Sequence, residues 1–273
     1  AFNGGAVTGL LVVGLALRYG WRVTAGPGIA AAQTRPGRAL LGFCAWIESD
    51  FSAGGMRRLL QSGDVKLTID VSSGQAARLL FKSEAGWGRA TYAISLTRLS
   101  NIYKHVVGDP DRSDEGRASA TKKIAQIQEL LGWFERLFAS VPEPAQDGQV
   151  DLQAVVDAAV GYLETSAAKT NALDAVAVVG LKDSVSELRA LDAFRCPLPV
   201  ALRFIRERVE GLSVGADRPR PGHLHISALA YAGYANRERF YVVGLEEGRV
   251  FPVAVEDPVL LDTEREKIHP SLR

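Results

Sequence analysis

The sequence has few of the residues that mark specialised classes of protein. It contains two cysteines, Cys44 and Cys196, one methionine and a formal net charge of +1 in 273 residues. The cysteines lack metal-ligand spacing and lie in apolar segments, which predicts buried free thiols in a reducing, cytoplasmic compartment. The balanced charge gives no overall attraction to nucleic acid or membranes, so a DNA-binding surface requires local clustering of basic residues.

Long hydrophobic runs are also missing. The apolar stretch at 6–17 is shorter than the roughly 20 residues of a membrane-spanning helix, and no basic segment precedes it as in a signal peptide. We therefore expect no membrane partner. Hydrophobic content of 47% with 23% charged residues predicts a globular protein with a buried core. Because the chain starts at Ala1 rather than at a methionine, we expect it to be part of a longer protein.

Several catalytic signatures are absent as well. No G-x-x-x-x-G-K-[ST] loop occurs, so the chain alone is not predicted to be a P-loop NTPase, and no G-x-S-x-G elbow is present. The Pro110-Asp111 pair is not followed by the E-x-K with which PD-(D/E)XK nucleases hold their metal. His223 and His225 share one face of a predicted strand but have no third ligand nearby in sequence. We predict no catalytic residue and no metal site.

One nucleotide-binding pattern leaves an alternative open. Residues 26–31 match G-x-G-x-x-A after a predicted strand, where glycines can bring backbone amides onto a pyrophosphate. However, Pro27 lacks an amide hydrogen, and Pro36 interrupts the helix that should follow. A plain turn is the favoured interpretation, and a nucleotide-binding enzyme that uses Gly26 to Ala31 is kept as an alternative.

Hydrophobic periodicity predicts an α/β segment, then a helical block, then β-strands. A strand at 21–25 and helices at 36–48 and about 53–61 come first, and 64–105 has a mixed pattern. A polar linker at 108–119 precedes the helical block, in which Asp151 can cap a helix. Two apolar strands around a glycine-centred loop are predicted after His223. The simplest arrangement is an α/β domain interrupted by a helical insertion, with the last strands returning to the first sheet. The helices of the block are predicted at about 124–138, 152–163, 173–193 with a joint near Lys182, and 199–212.

Basic residues cluster in two parts of the chain. Segment 1–66 contains seven Lys and Arg residues against three acids, and segment 89–123 contains seven against four. Within the first, residues 33–38 form a loop that enters a helix and bring a hydroxyl, amides and guanidinium groups together. Such a loop suits a phosphate group, which predicts Thr34, Arg35 and Arg38 as contacts to a nucleic-acid backbone.

Residues 225–265 resemble the motif V region of UvrD-type superfamily 1 helicases. The resemblance is carried by the VVGLEEG sequence at 242–248 and by Phe251-Pro252. The acidic segment 257–265, DPVLLDTER, is similar to a step in AddB-like subunits of bacterial helicase–nucleases, which are PD-(D/E)XK nuclease superfamily proteins. Segments 19–26, 34–41 and 56–60 are similar to the course of helicase domain 2A.

This resemblance implies a RecA-like (P-loop NTPase-like) α/β sheet domain, 2A, interrupted by a helical insertion, 2B. Domain 2A would comprise 1–105 and 218–273, and the 2B-like insertion 106–217. Where active helicases carry a Lys-Gly-Leu-Glu-type core in motif V, this chain has Ala-Gly-Tyr-Ala at 232–235, so the lysine and glutamate are gone. The resemblance therefore implies a degenerate helicase domain, without cofactors of its own, because ATP and Mg²⁺ would serve only the parent complex.

The function that this implies is a non-catalytic part of a helicase–nuclease subunit in DNA double-strand-break repair. The chain would bind or channel a DNA strand, beside a partner motor subunit that unwinds the duplex. A scaffold that organises other domains without binding DNA is the alternative. The residues expected to contact DNA come from the 33–38 loop and the motif V loop, and they are Thr34, Arg35, Arg38, Tyr231, Gly233, Tyr234, Asn236 and Arg237.

Overall fold

A computed structural model of the chain describes residues 15, 19–229 and 237–243. In this part of the chain the fold is mixed α/β and mostly helical, with eight α-helices and short strands in three two-stranded sheets. The chain forms two compact units, one comprising Gly28–Ala216 and the other Ala1–Pro27 with Asp217–Arg273. The sequence-based division placed its boundaries after residues 105 and 217, so the two divisions differ at the first boundary.

The unit 28–216, here called the helical unit, contains all eight helices. Two short 3₁₀ turns accompany them, at Ala31–Gln33 and Glu187–Ala190. The helices are α1 (Arg35–Glu48), α2 (Ala53–Gln61), α3 (Ser73–Ser83), α4 (Arg89–Gly108), α5 (Asp114–Ser140), α6 (Leu152–Ser166), α7 (Ala172–Ser186) and α8 (Leu198–Gly211).

Side-chain caps explain where several of these helices begin. The Thr34 hydroxyl accepts a hydrogen bond from the amide of Gly37 at the start of α1, 3.2 Å away. Ser72 and Gln75 form a capping box at α3. The predicted cap at Asp151 is confirmed, since its carboxylate accepts from the Gln153 amide at 3.0 Å. Each cap satisfies an amide that has no partner within its own helix.

One segment without a prediction proves helical, and one helix prediction needs correction. The segment 64–105 contains α3 and most of α4. The helical periodicity of apolar residues in α4 is hard to recognise in the sequence, because apolar side chains such as Ile94 and Ile102 lie on its exposed face. The predicted joint near Lys182 is wrong, because α7 continues without a break to Ser186 before the 3₁₀ turn. Ser184 lies inside α7, where the backbone amides already have partners within the helix. Its hydroxyl therefore has no free amide to cap.

An aromatic cluster forms part of the hydrophobic core of the helical unit. The Trp46 indole donates to the Tyr92 hydroxyl at 2.8 Å, which in turn donates to the carbonyl of Phe51 at 2.8 Å. Phe134 packs on the Tyr92 ring with centroids 4.6 Å apart. Cys44 is buried and free, as predicted, and so is Cys196. Burial raises the pKa of the Cys44 thiol to about 12.

The strands of the helical unit pair over short, antiparallel stretches. β2 (Ile29–Ala30) pairs with β5 (Ser213–Val214), and β3 (Gln149–Asp151) pairs with β4 (Arg195–Pro197). The first pair joins the beginning and the end of the unit. The second places a strand directly before α6 and another before α8.

The other unit, here called the strand unit, contains a parallel pair. β1 (Val23–Ala25) pairs with β6 (Leu224–Ile226), with Val23 opposite Leu224. Parallel strands need a crossover connection between them. Here the residues of the helical unit form the connection from β1 to β6. The prediction that a strand after His223 returns to the first strand is confirmed for this pair.

The second predicted strand of this unit is wrong where the structure describes it. Residues 240–243 have no regular secondary structure, and the side chains of Phe240 and Tyr241 are 52% and 81% exposed. The remainder of the predicted strand, and with it the VVGLEEG resemblance beyond Val243, lies outside the described residues. The described residues of the strand unit form two strands and no larger sheet.

Candidate nucleic-acid interface

The structure brings together three of the predicted DNA contacts at the N-terminus of α1. Thr34 is buried, and its hydroxyl donates to the Ala31 carbonyl at 2.7 Å while it caps the helix. The amide of Arg35 donates to a carboxylate oxygen of Asp174 at 3.4 Å. A helix N-terminus favours an anion, and here the carboxylate of the protein's own Asp174 takes that place.

Arg38 is held by a second carboxylate. Its Nε and Nη2 atoms donate to the two oxygens of Asp64 at 3.0 and 2.6 Å, a bidentate geometry. The Asp64 side chain is 5% exposed, whereas that of Arg38 is 46% exposed. The hydrogen bond to Asp64 raises the pKa of Arg38. A phosphate at this position would share the guanidinium with Asp64, so DNA contact by Thr34, Arg35 and Arg38 stays a prediction.

Polar groups also gather around the β1–β6 pair in the strand unit. The Thr24 hydroxyl and the His225 ring nitrogen Nδ1 are 2.8 Å apart. The pKa of His225 is lowered by burial and by the charge of Arg237, against the opposing effect of Asp217. The Arg237 guanidinium donates to the carbonyl of Arg220 at 2.6 Å.

Arg237 is the one predicted contact of the motif V loop that the structure describes. Tyr231, Gly233, Tyr234 and Asn236 lie outside the described residues. Arg237 belongs to the strand unit and Arg35 and Arg38 to the helical unit. The predicted site is therefore divided between two units, each with its own basic groups.

The glycines of the G-x-G-x-x-A pattern have packing roles. A Cβ at Gly26 would lie 3.3 Å from the His225 ring, and one at Gly28 would lie 2.8 Å from the Val214 carbonyl. Gly28 also adopts a φ of +74°, which favours glycine. Close contact within each unit thus accounts for both residues without a bound nucleotide.

Sequence reasoning missed an exposed aromatic and basic surface on the helical unit. Phe81 and Trp87 are 65% and 67% exposed, and the Arg57 guanidinium lies 5.0 Å from the centroid of the Phe81 ring. Both aromatics fall within 64–105, where no element had been assigned. No local sequence signal distinguishes these two exposed aromatics from core residues.

Within the described parts of the chain, no group of three His, Cys, Asp or Glu side chains is placed to hold a metal ion. Nor does any helix of these residues combine the length and the apolar character needed to cross a membrane.

Comparison with known proteins gives no relative. The chain matches no protein-family model, no curated protein and no solved structure. The likeness to UvrD-type helicases therefore depends on the sequence motifs alone.

Proposed function

We propose that this chain is the helicase-like, non-catalytic part of a helicase–nuclease subunit, which holds or channels a DNA strand in cytoplasmic double-strand-break repair. In this proposal a RecA-like sheet domain is interrupted by a helical insertion. A motor subunit, which uses ATP and Mg²⁺, is the expected protein partner.

The parallel pairing of β1 with β6 carries this proposal. Thr24 and His225 are hydrogen-bonded neighbours although 201 residues separate them in the chain. A mostly helical block lies between the two strands, which is the order expected of a sheet domain with an inserted domain. The motif resemblance covers the same two ends of the chain.

The chemistry beside this strand pair supports a backbone contact. Arg237 supplies a fixed positive charge, and the Thr24–His225 hydrogen bond lies at the middle of the paired strands. Sequence-independent DNA binding depends mainly on such contacts between basic side chains and phosphates.

The test is the salt dependence of DNA binding by the whole chain. Fluorescence anisotropy with a labelled oligothymidylate should show binding at low salt, with the logarithm of the affinity falling linearly with the logarithm of salt concentration. Arg237→Gln should reduce that slope by about 0.7, the value for one lost phosphate contact on a single strand. The combined Arg35→Ala and Arg38→Ala change tests the second predicted contact in the same way.

Arg189→Gln is the matched control, because Arg189 is a half-exposed arginine that pairs with Asp157 on the helical unit, outside the predicted site. It should leave the slope unchanged. If the unmodified chain has no measurable affinity at low salt, the DNA-binding proposal fails and the scaffold alternative replaces it. An unchanged slope in all site variants would discard the residue assignment.

A further inference from the structure

The exposed aromatics Phe81 and Trp87 mark a surface that the predicted site does not include. Phe81 lies in the last turn of α3, and Trp87 directly precedes Gly88, the N-cap residue of α4. Both side chains are about two-thirds exposed to solvent. Packing within the helical unit therefore does not explain why large aromatic residues occupy these positions. We call this region, with its neighbours Arg57, Lys82 and Arg98, the aromatic–basic surface.

Contacts within the helical unit tie this surface together. The Arg57 guanidinium of α2 covers the Phe81 ring of α3, 5.0 Å from its centroid. Arg98 of α4 donates to the carbonyl of Ser83 at 3.0 Å and to the carboxylate of Glu84 at 3.2 Å. Three helices thus contribute to the part of the surface around Phe81, Ser83 and Glu84, and contacts fix the positions of Arg57 and Arg98 there.

A shallow, open groove of about 640 Å³ follows the exposed face of α4 from Ala93 to His105, with Arg98 near its middle. Ile94 and Ile102, which are 67% and 53% exposed, alternate in it with the polar side chains of Asn101 and His105. The groove therefore offers apolar contact and hydrogen-bonding groups along one helix face.

Charge decides what kind of partner fits this region. The surface has three basic side chains, Arg57, Lys82 and Arg98. Two acids lie close to it: Glu84, which pairs with Arg98, and Asp50, whose carboxylate lies near Gly88. The exposed excess is positive, which favours a polyanion over an apolar peptide or an uncharged ligand.

We propose that the aromatic–basic surface binds single-stranded DNA, with bases stacked on Phe81 and Trp87 and phosphates near Arg57, Lys82 and Arg98. Aromatic side chains stack on any unpaired base, and neighbouring basic side chains follow the backbone. A duplex would hide its base faces from these rings. This inference rests on the proposed function and deepens it. It specifies single-stranded DNA as the ligand and the aromatic–basic surface as the place where it binds.

Binding of a labelled oligothymidylate to the full chain tests the surface. Phe81→Ala and Trp87→Ala should each weaken binding by about tenfold while the salt slope stays unchanged, because stacking releases no counterions. Lys82→Gln should instead lower the slope by about 0.7. Val179→Ala, at a valine that is 59% exposed on α7, is the control for removing an exposed apolar side chain, and it should leave binding unchanged.

Tryptophan fluorescence gives a direct readout of stacking. Trp46 and Trp133 are buried, whereas Trp21 and Trp87 are 60% and 67% exposed. In a Trp21→Phe background, oligothymidylate should quench the exposed Trp87 signal, and heparin, a polyanion without bases, should not. An abasic oligonucleotide of equal length should behave like heparin. Thermal unfolding of each variant checks that the fold is kept.

The outcomes separate this inference from the proposed function. If the chain binds DNA but Phe81→Ala and Trp87→Ala bind as well as the parent, the aromatic–basic surface is overturned and the proposed function stands. If binding is equal for DNA and heparin, with no quenching, charge alone explains it and stacking is rejected. If duplex of the same length binds more tightly, the single-strand assignment fails. Equal affinity for an oligouridylate would overturn the assignment of the surface to DNA.

Discussion

The two compact units of this protein are stabilised in different ways. The helical unit buries large side chains, including Trp46, Tyr92 and Phe134, each at most 1% exposed. In the described residues of the strand unit, by contrast, Thr24 and Ala25 alone are buried, and large side chains such as Tyr19 and Trp21 are exposed. One unit has its own hydrophobic core, and the described part of the other does not.

Hydrogen bonds rather than apolar contacts define the strand pair. The Leu224 amide donates to the Arg22 carbonyl at 2.9 Å, and the Gly26 amide donates to the Ile226 carbonyl at 2.8 Å. A two-stranded sheet alone is only marginally stable in water, because it hides little apolar surface. We therefore expect the strand pair to open at a lower free energy than the helical unit unfolds.

Matched tryptophan substitutions give the largest predicted difference between the units. Trp46→Ala should lower the free energy of unfolding by about 3–5 kcal/mol. It removes a buried ring together with the indole N–H that donates a hydrogen bond to the Tyr92 hydroxyl. Trp21→Ala, at a residue 60% exposed in the strand unit, should cost no more than about 0.5 kcal/mol. Urea unfolding followed by far-ultraviolet circular dichroism measures both. Equal effects would contradict the contrast between the two units.

Ion pairs within the helical unit should show a smaller difference. Arg38→Ala leaves the buried Asp64 carboxylate without its bidentate partner, and should cost about 2 kcal/mol, the range for a hydrogen bond to a charged group. Arg208→Ala breaks a pair with Glu187 in which both side chains are exposed, and should cost no more than about 1 kcal/mol. A double-mutant cycle of Arg38→Ala with Asp64→Ala isolates the pair. A coupling energy near zero would show that the bidentate pair contributes little to stability.

The sequence predicted most of the helical unit because its signals are local. The helix at about 53–61 coincides with α2, and Asp151 caps α6, since amphipathic spacing and capping act over a few residues. The return of the last strands to the first sheet was also predicted, although strand order is usually a non-local property. Here the order of the predicted elements, with strands at both ends of a helical block, supplied the missing information.

The candidate sites were harder to predict because their chemistry depends on tertiary contacts. Nothing near Arg35 or Arg38 in sequence indicates that Asp174 and Asp64 approach them, since Asp174 is 139 residues from Arg35. The aromatic–basic surface was missed for the opposite reason. Exposed Phe81 and Trp87 look like core residues in a sequence, and only the fold reveals that they face solvent.

The smallest predicted effect lies in the strand pair and depends on pH. Burial and Arg237 lower the pKa of His225, so the folded strand pair favours the neutral imidazole. Between the folded pKa and the ordinary histidine value, the open state binds more protons than the folded state, and stability there rises with pH. As pH falls through this window the strand pair should weaken, and below the folded pKa the loss should become constant.

Two substitutions with opposite signs test this pH effect. Arg237→Gln removes a positive charge and should raise the pKa of His225, whereas Asp217→Asn removes the opposing negative charge and should lower it further. The titration of the His225 imidazole resonances by NMR measures both shifts. Amide exchange at Gly26, which donates to Ile226, should follow the same order at a pH within the window. If both variants moved the pKa in one direction, a general loosening of the strand pair, rather than the two named charges, would control the protonation of His225.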